Sequence, residues 1–377
     1  MSAHTGLRLL VARQELRRTR LAPDPDAPAA RALAQGEVRL AVAHFALTAN
    51  NITYAAFGEA MKYWQFFPCD DAAWGCIPVW GFAEVDESRV ADIQVGQRVY
   101  GYLPMGSHLV VQPGKLSASG FIDMAPHRAD LPAVYNQLSL CAGDLAYRAD
   151  REAQQAILKP LFTTSFLIDD FLADDRFFGA RQVLLSSASS KTAYGTAFCL
   201  WQRRGTPSAV RVVGLTSAAH LSFTRSLVCY DDVITYDQLD ALDLQTPAVY
   251  VDFAGRAALR QELHQRLGDQ LRYSCSVGGT HWEGQGRSQG LPGPKPVLFF
   301  APSQIAKRVA APPEGWGPRG FQQRLADAWQ AFMRVVCEGD APWLSVEHGA
   351  GAAVVEQHYL ALLEGRSDAR QGLMLRL

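Results

Sequence analysis

No run of apolar residues in this chain reaches the roughly 18 needed to cross a bilayer. The opening MSAHTGLRLLVARQELRRTR lacks an apolar core followed by a small-residue cleavage site, so secretion is not indicated. Seven cysteines, an odd number widely scattered, form no disulfide framework. Charge of neither sign predominates: 36 Lys and Arg stand against 37 Asp and Glu. That balance suggests neither a nucleic-acid-binding surface nor an acidic tail. Internal repeats are absent, and LPGPKP and GPRG read as turns. These absences lead to the expectation of a soluble cytoplasmic protein with no membrane or nucleic-acid partner. What is present is length and apolar content: 377 residues, 48% hydrophobic, long for one domain and comfortable for two.

The two halves differ in pattern. Residues 7–160 are β-rich, with short apolar or alternating runs at Leu7–Ala12, Val38–Phe45, Ile77–Val85, Arg98–Leu103 and His108–Gln112. Thr48–Tyr54 reads as a polar loop between strands. A stretch from Tyr135 to Asp175 carries apolar residues at helical spacing. Strands and helices then alternate, with strands expected at Val183–Leu185, Val210–Leu215, Asp232–Tyr236, Ala248–Phe253, Arg272–Val277 and Val297–Phe300. Six short apolar strands with helices between most of them predict a doubly wound parallel sheet. Gly320–Gly339 and Gly351–Leu363 read as further helices.

The stretch Val183–Gly205, VLLSSASSKTAYGTAFCLWQRRG, carries the most chemistry. A buried strand enters a turn of tiny side chains, and a helix points its N-terminus back at that turn. This is the first unit of a dinucleotide fold, in which helix N–H groups bind a pyrophosphate. The expected glycines are replaced by serine and alanine, the next smallest residues. Ser187, Ser189 and Ser190 add hydroxyls, and Lys191 and Thr192 open the helix. The alternative is a plain strand–turn–helix that has lost its cofactor. A P-loop requires glycines where Leu185 and Ser190 stand, which argues against it.

In order and spacing, several pieces resemble the medium-chain dehydrogenase/reductase superfamily from about Gly36 onward. They are GEVRLAVAHFALTANNITYA, IPVWGFAEVDES, VGQRVYGY, VLLSSASSKTAYGTA, VVGLTS, YDDVITYD and VYVDFAG. The closest branch is the zinc-free, quinone-oxidoreductase-like one, within which TANNITYA, SASSKTA and FFAPSQIAKR are similar to a bacterial group of unassigned activity. The resemblance implies an α/β protein: a GroES-like β-barrel catalytic domain over residues 1–160, completed by 305–377, and a six-strand Rossmann domain over 161–304. It also implies a homodimer through Val297–Phe300.

Departures from the superfamily pattern shape the expected chemistry. Where zinc alcohol dehydrogenases carry a ligating His in GHE, this chain has Gly81-Phe82-Ala83, and phenylalanine cannot coordinate a metal. Cys69 and Cys76 match no compact zinc spacing, so no metal site is expected. The second nucleotide strand ends in Thr216-Ser217, with His220 and Arg225 following. No carboxylate stands directly there to bind a ribose 2′-hydroxyl, so NADP is the expected cofactor. Arg225 also fits a solvated helix face. Tyr236 falls near the adenosine ribose by resemblance, and Asp252 near the cofactor or in a turn-capping role.

At the reacting end, Asn50, Asn51, Thr53 and Tyr54 supply amide and hydroxyl donors without charge, as a developing enolate oxygen requires. Tyr54 is the first choice of acid and Tyr63 the second; a turn at Asn50-Asn51 with Tyr54 packed in the barrel is the competing reading. Gly278 would let backbone approach the nicotinamide, and His281 would orient substrate or carry protons, or be merely hydrogen-bonded. Trp64, Phe66, Phe67, Trp74 and Trp80 line an apolar pocket or belong to the core. Lys62, or Lys307-Arg308, would meet an acidic group or remain surface charge. Neither a YxxxK pair nor a GxSxG elbow is present. The expectation is zinc-independent, NADPH-dependent reduction of an activated C=C bond in a small molecule. Carbonyl reduction and a non-catalytic nucleotide-binding or structural role on the same fold are the alternatives.

Overall fold

The computed structural model describes residues 6–144, 146–277, 290–338, 342–366 and 368–377. The first elements are β1 (Leu7–Ala12), β2 (Glu15–Pro23), β3 (Val38–Leu47), α1 (Ala49–Ala56), β4 (Trp74–Gly75), β5 (Pro78–Ser88) and β6 (Arg98–Pro104). Then come β7 (His108–Val111), β8 (Pro113–Ser117), β9 (Gly120–Asp123), β10 (Gln137–Leu140) and α2 (Glu152–Asp174). The alternating region holds β11 (Gln182–Leu185), α3 (Lys191–Trp201), β12 (Arg211–Thr216), α4 (Leu221–Ser226), β13 (Asp232–Thr235), β14 (Ala248–Asp252), α5 (Ala257–Leu267), β15 (Leu271–Ser276) and β16 (Val297–Leu298). α6 (Ala301–Val309), α7 (Gly317–Cys337), β17 (Ser345–Ala350), α8 (Ala352–Leu363) and β18 (Gln371–Arg376) complete the chain. Two compact units result, Met1–Lys159 with Leu344–Leu377, and Pro160–Trp343.

In the first unit one large sheet runs β17-β18-β3-β5-β6-β10-β9-β8, with β7 also on β3, and a small sheet runs β2-β1-β4. The β3–β5 register sets Ala46 opposite Trp80, and the β5–β6 register sets Trp80 opposite Tyr102 and Phe82 opposite Tyr100. With a side-chain period of two, these four aromatic residues share one face. The chain leaves β3 at Leu47 and enters α1, which corrects the expected loop at Thr48–Tyr54. Thr48 is the N-cap, and the Asn51 side chain accepts its N–H at 2.7 Å. That side chain satisfies one of the orphan donors that a loop would have left to water.

In the second unit the parallel sheet has the order β13-β12-β11-β14-β15-β16. β11 and β14 are buried throughout, which explains their continuous apolar sequence. α3 lies so close to α2 that a Cβ on Gly195 would stand 2.7 Å from Ser165 Oγ. α7 buries Phe321, Trp329, Phe332, Met333 and Val336, and Phe332 stacks on Phe162 with ring centroids 4.5 Å apart. Among the described residues no helix is long and apolar enough to cross a membrane.

Candidate functional site

The turn after β11 is fixed from several sides. Ser186 Oγ donates to Asp252 Oδ1 at 3.1 Å and accepts the N–H groups of Phe253 and Ala254 at 2.9 and 3.0 Å. Ser187 has φ of 47°, the left-handed region that glycine favours, and its N–H donates to the Tyr236 hydroxyl at 2.9 Å. Ala188 gives its N–H to Leu215 O at 3.0 Å, and its carbonyl accepts from the Tyr230 hydroxyl at 2.8 Å. Gly214 makes room on the β12 side, where a Cβ would stand 2.9 Å from both Ala188 Cβ and the Tyr230 ring. A backbone strain of this kind persists only where the surroundings enforce it, and it concentrates at ligand-clamping turns.

Ser190 caps α3, accepting from Ala193 N at 3.4 Å, and Lys191 and Thr192 form its first turn. The first-turn N–H groups and the positive pole of an 11-residue helix point at the turn. Ser189 is buried within it. Beside it, Thr216 ends β12, and Ser217 Oγ lies 3.3 Å from His220 Nδ1. Asp252 is wholly buried and bonded to Ser186, to Gly255 N at 2.9 Å and to Arg260 Nε at 3.0 Å, the turn-capping arrangement. These small side chains, hydroxyls and helix N–H groups fit a pyrophosphate, with one subtraction: the Ser187 N–H is already taken by Tyr236.

In the first unit Tyr54 is buried, and its oxygen accepts two hydrogen bonds, from Asn50 Nδ2 at 2.7 Å and Trp80 Nε1 at 3.2 Å. The Tyr135 side chain is also hydrogen-bonded to Tyr54, beside these two neutral donors. The Tyr63 and Tyr135 hydroxyls lie 3.5 Å apart next to it, and the Tyr54 and Tyr63 rings have centroids 4.7 Å apart. Tyr102 crosses Tyr54 edge-on, and its hydroxyl, like that of Tyr100, is buried with no hydrogen-bond partner among the described residues. Burial pushes the phenols of Tyr54, Tyr63, Tyr102 and Tyr135 above the ordinary range, so they are neutral donors at physiological pH.

The other expected reacting residues have different surroundings. Asn51 spends its amide on the Thr48 cap and on Pro78 O at 2.8 Å. Thr53 is exposed and reaches back to Ala49 O at 3.5 Å. Gly278 and His281 lie outside the described residues. Trp64, Phe66, Phe67 and Trp74 are buried core, and Lys62 is exposed. Arg308 is bound to Asp170 at 2.7 Å, and Lys307 pairs with Asp174. Phe82 is fully buried among Tyr100, Tyr147, His44 and the Arg98 guanidinium. Burial raises the Cys76 thiol to about 12. Among the described residues no three His, Cys, Asp or Glu side chains group as metal ligands.

The model of one family, described as a protein of unknown function (DUF2855), matches residues 45–368. The chain belongs to this family. No curated protein matches this DUF2855 chain by sequence. Solved structures do match it along its length. CurA from Vibrio vulnificus in complex with NADPH is 14% identical over 98% of each chain, with a TM-score of 0.58. The CurK enoyl reductase is 12% identical over 99% of each chain, with a TM-score of 0.54. The quinone oxidoreductase from Coxiella burnetii is 12% identical over 99% of each chain, with a TM-score of 0.53. These likenesses establish the fold: a GroES-like domain with its own sheet and a Rossmann domain with a six-strand parallel sheet.

Sequence reading missed three residues of these two places in the DUF2855 chain. Ser186 is indistinguishable in sequence from its serine neighbours. Asn50 is among the expected amide donors, and its spacing of four from Tyr54 is the signal of a helical pair. Tyr135, and Arg256 with its guanidinium 5.3 Å from the Tyr236 ring centroid, reach their neighbours only through long-range folding, and no local pattern marks them.

Proposed function

We propose that this protein is an NADPH-dependent oxidoreductase that reduces an activated C=C bond in a small enone, quinone or enoyl compound without a metal. The observation that carries this reading is the braced serine turn after β11, whose Ser187 keeps a left-handed backbone without being glycine. Ser189, Ser190, Lys191 and Thr192 would hold the pyrophosphate, and Thr216, Ser217, His220 and Tyr236 the adenosine ribose. The likeness to CurA, solved with NADPH, supports the choice of cofactor.

Bound NADPH supplies a hydride. Tyr54 donates a hydrogen bond, then its proton, to the oxygen on which negative charge develops. As the proton leaves, Asn50 Nδ2 and Trp80 Nε1 remain on the phenolate oxygen and stabilise it. The buried phenol cluster excludes charge and water and suits a planar, uncharged substrate. Asn51 and Thr53 hold α1 in place. Phe82, which has no lone pair to offer a metal, supports activity that survives chelation. The same reading gives a homodimer along β16, whose Val297 and Leu298, with Phe300 after it, are about half exposed.

Titration with NADPH and NADH, followed by a panel of enones, quinones and aldehydes read at the reduced-nicotinamide band, tests the proposal. NADPH binding with enone-dependent oxidation is expected. Oxidation with aldehydes alone would make it a carbonyl reductase, and binding of neither nucleotide would remove the enzyme reading.

A further inference from the structure

The strand order β13-β12-β11-β14 places the topological switch point between β11 and β14, where open parallel sheets bind ligands beyond the carboxyl ends of their strands. Two side chains from opposite sides of that point meet there. Tyr236 follows β13 directly, and Arg256 follows β14 by a short turn. The Arg256 guanidinium lies 5.3 Å from the centroid of the Tyr236 ring. Tyr236 is fixed at both ends: its hydroxyl accepts the Ser187 N–H at 2.9 Å, and its backbone N–H donates to Thr216 O at 2.9 Å. The ring therefore bridges the end of β12, where the adenosine ribose lies in such folds, and Ser187 of the phosphate turn.

Charge separates Arg256 from its neighbours. Arg260, one helical turn further on, is held by Asp252 at 3.0 Å. Arg256 is exposed and forms no ion pair with a described residue. The Asp237 carboxyl, next to Tyr236 in sequence, is hydrogen-bonded by the Thr235 side chain. Thr216 and Ser217 bring hydroxyls rather than the carboxylate that selects an unphosphorylated ribose. His220 is engaged by Ser217, and Arg225 is exposed on α4. A guanidinium held against an aromatic face keeps its fork of N–H groups free for a phosphate, which it binds bidentately.

We propose that Arg256, held on the face of Tyr236, grips the 2′-phosphate of NADP(H) and sets the preference for the phosphorylated cofactor. This rests on the reading of the second unit as a dinucleotide-binding domain, and it makes Arg256 rather than His220 or Arg225 the specificity residue. Calorimetric titration of the full chain with NADPH, NADH, adenosine 2′,5′-bisphosphate and 5′-AMP tests it, in the wild type and in Arg256→Ala and Arg256→Lys.

Arg256→Ala is expected to weaken NADPH and adenosine 2′,5′-bisphosphate by about 10- to 100-fold, as loss of a charge-assisted phosphate contact does. NADH and 5′-AMP should change by less than about twofold, and Arg256→Lys should recover part of the loss. Equal weakening of NADPH and NADH, or no change in either, would overturn the assignment. Equal wild-type affinity for NADPH and NADH would also overturn it while leaving the cofactor reading intact. A wild type that binds none of the four nucleotides would overturn both.

Discussion

In the proposed mechanism Tyr54, a neutral residue, would become a proton donor through its neighbours alone. Burial holds the phenol protonated, while the donors on its oxygen, Trp80 and Asn50, favour the phenolate that forms when the proton is given up. Tyr54→Phe keeps the ring and the packing and removes the proton. Turnover of an enone should fall by about 10²-fold or more while NADPH affinity stays unchanged, read by steady-state kinetics beside calorimetry. Trp80→Phe removes one stabilising N–H, and a loss of about three- to tenfold in kcat is expected, of the size of one hydrogen bond. Unchanged turnover in Tyr54→Phe would take the residue out of the mechanism.

At the scale of elements, the start of α2 is tied to β6 and β3 by one carboxylate. Glu152 accepts from Arg98 Nε and Nη2 at 2.9 and 2.6 Å, from the Tyr147 hydroxyl at 2.8 Å and from His44 Nε2 at 2.9 Å. Burial opposes its charge, but the bonds from His44, Arg98 and Tyr147 prevail and hold its pKa at about 2 against an ordinary 4.5. Because the folded value is the lower one, the stabilisation is present above pH 4.5 and is lost as pH falls toward 2. The stability gap between wild type and Glu152→Gln, from urea unfolding, should therefore shrink between pH 6 and pH 3. A gap independent of pH would show that the charge contributes nothing.

Elements also show what sequence can and cannot disclose. The strands of the parallel sheet were readable because both faces are covered, which leaves continuous apolar runs such as AVYVD. β2, with the sequence ELRRTRLAP and a largely exposed surface, offered no such run and went unread. α1 was mistaken for a loop because Asn50-Asn51 are turn residues by composition, whereas the Thr48 cap and the absence of Gly or Pro through Ala56 are the helical signals. The turn at Ser186–Ser190 was legible from strand, small residues and helix in succession. The Tyr54–Trp80 and Tyr236–Arg256 meetings were not, since each joins segments 20 or more residues apart through sheet register and strand order.

For the whole molecule, fold and family stand on different footings: 12–14% identity to the solved structures establishes a shared architecture, and the chemistry must come from this chain's own residues. An edge strand with exposed Val297, Leu298 and Phe300 is a template for pairing with a second copy. Sedimentation should therefore show a dimer, and Leu298→Lys should shift it toward monomer. A wild type that sediments as a monomer would contradict that pairing.

The central claim is that the serine turn after β11 holds NADPH, and calorimetric titration of the purified chain with NADPH tests it most directly. The account predicts saturable binding of one NADPH per chain, tighter than NADH. An absence of heat and of any tryptophan-fluorescence change with either nucleotide at millimolar concentration would contradict it.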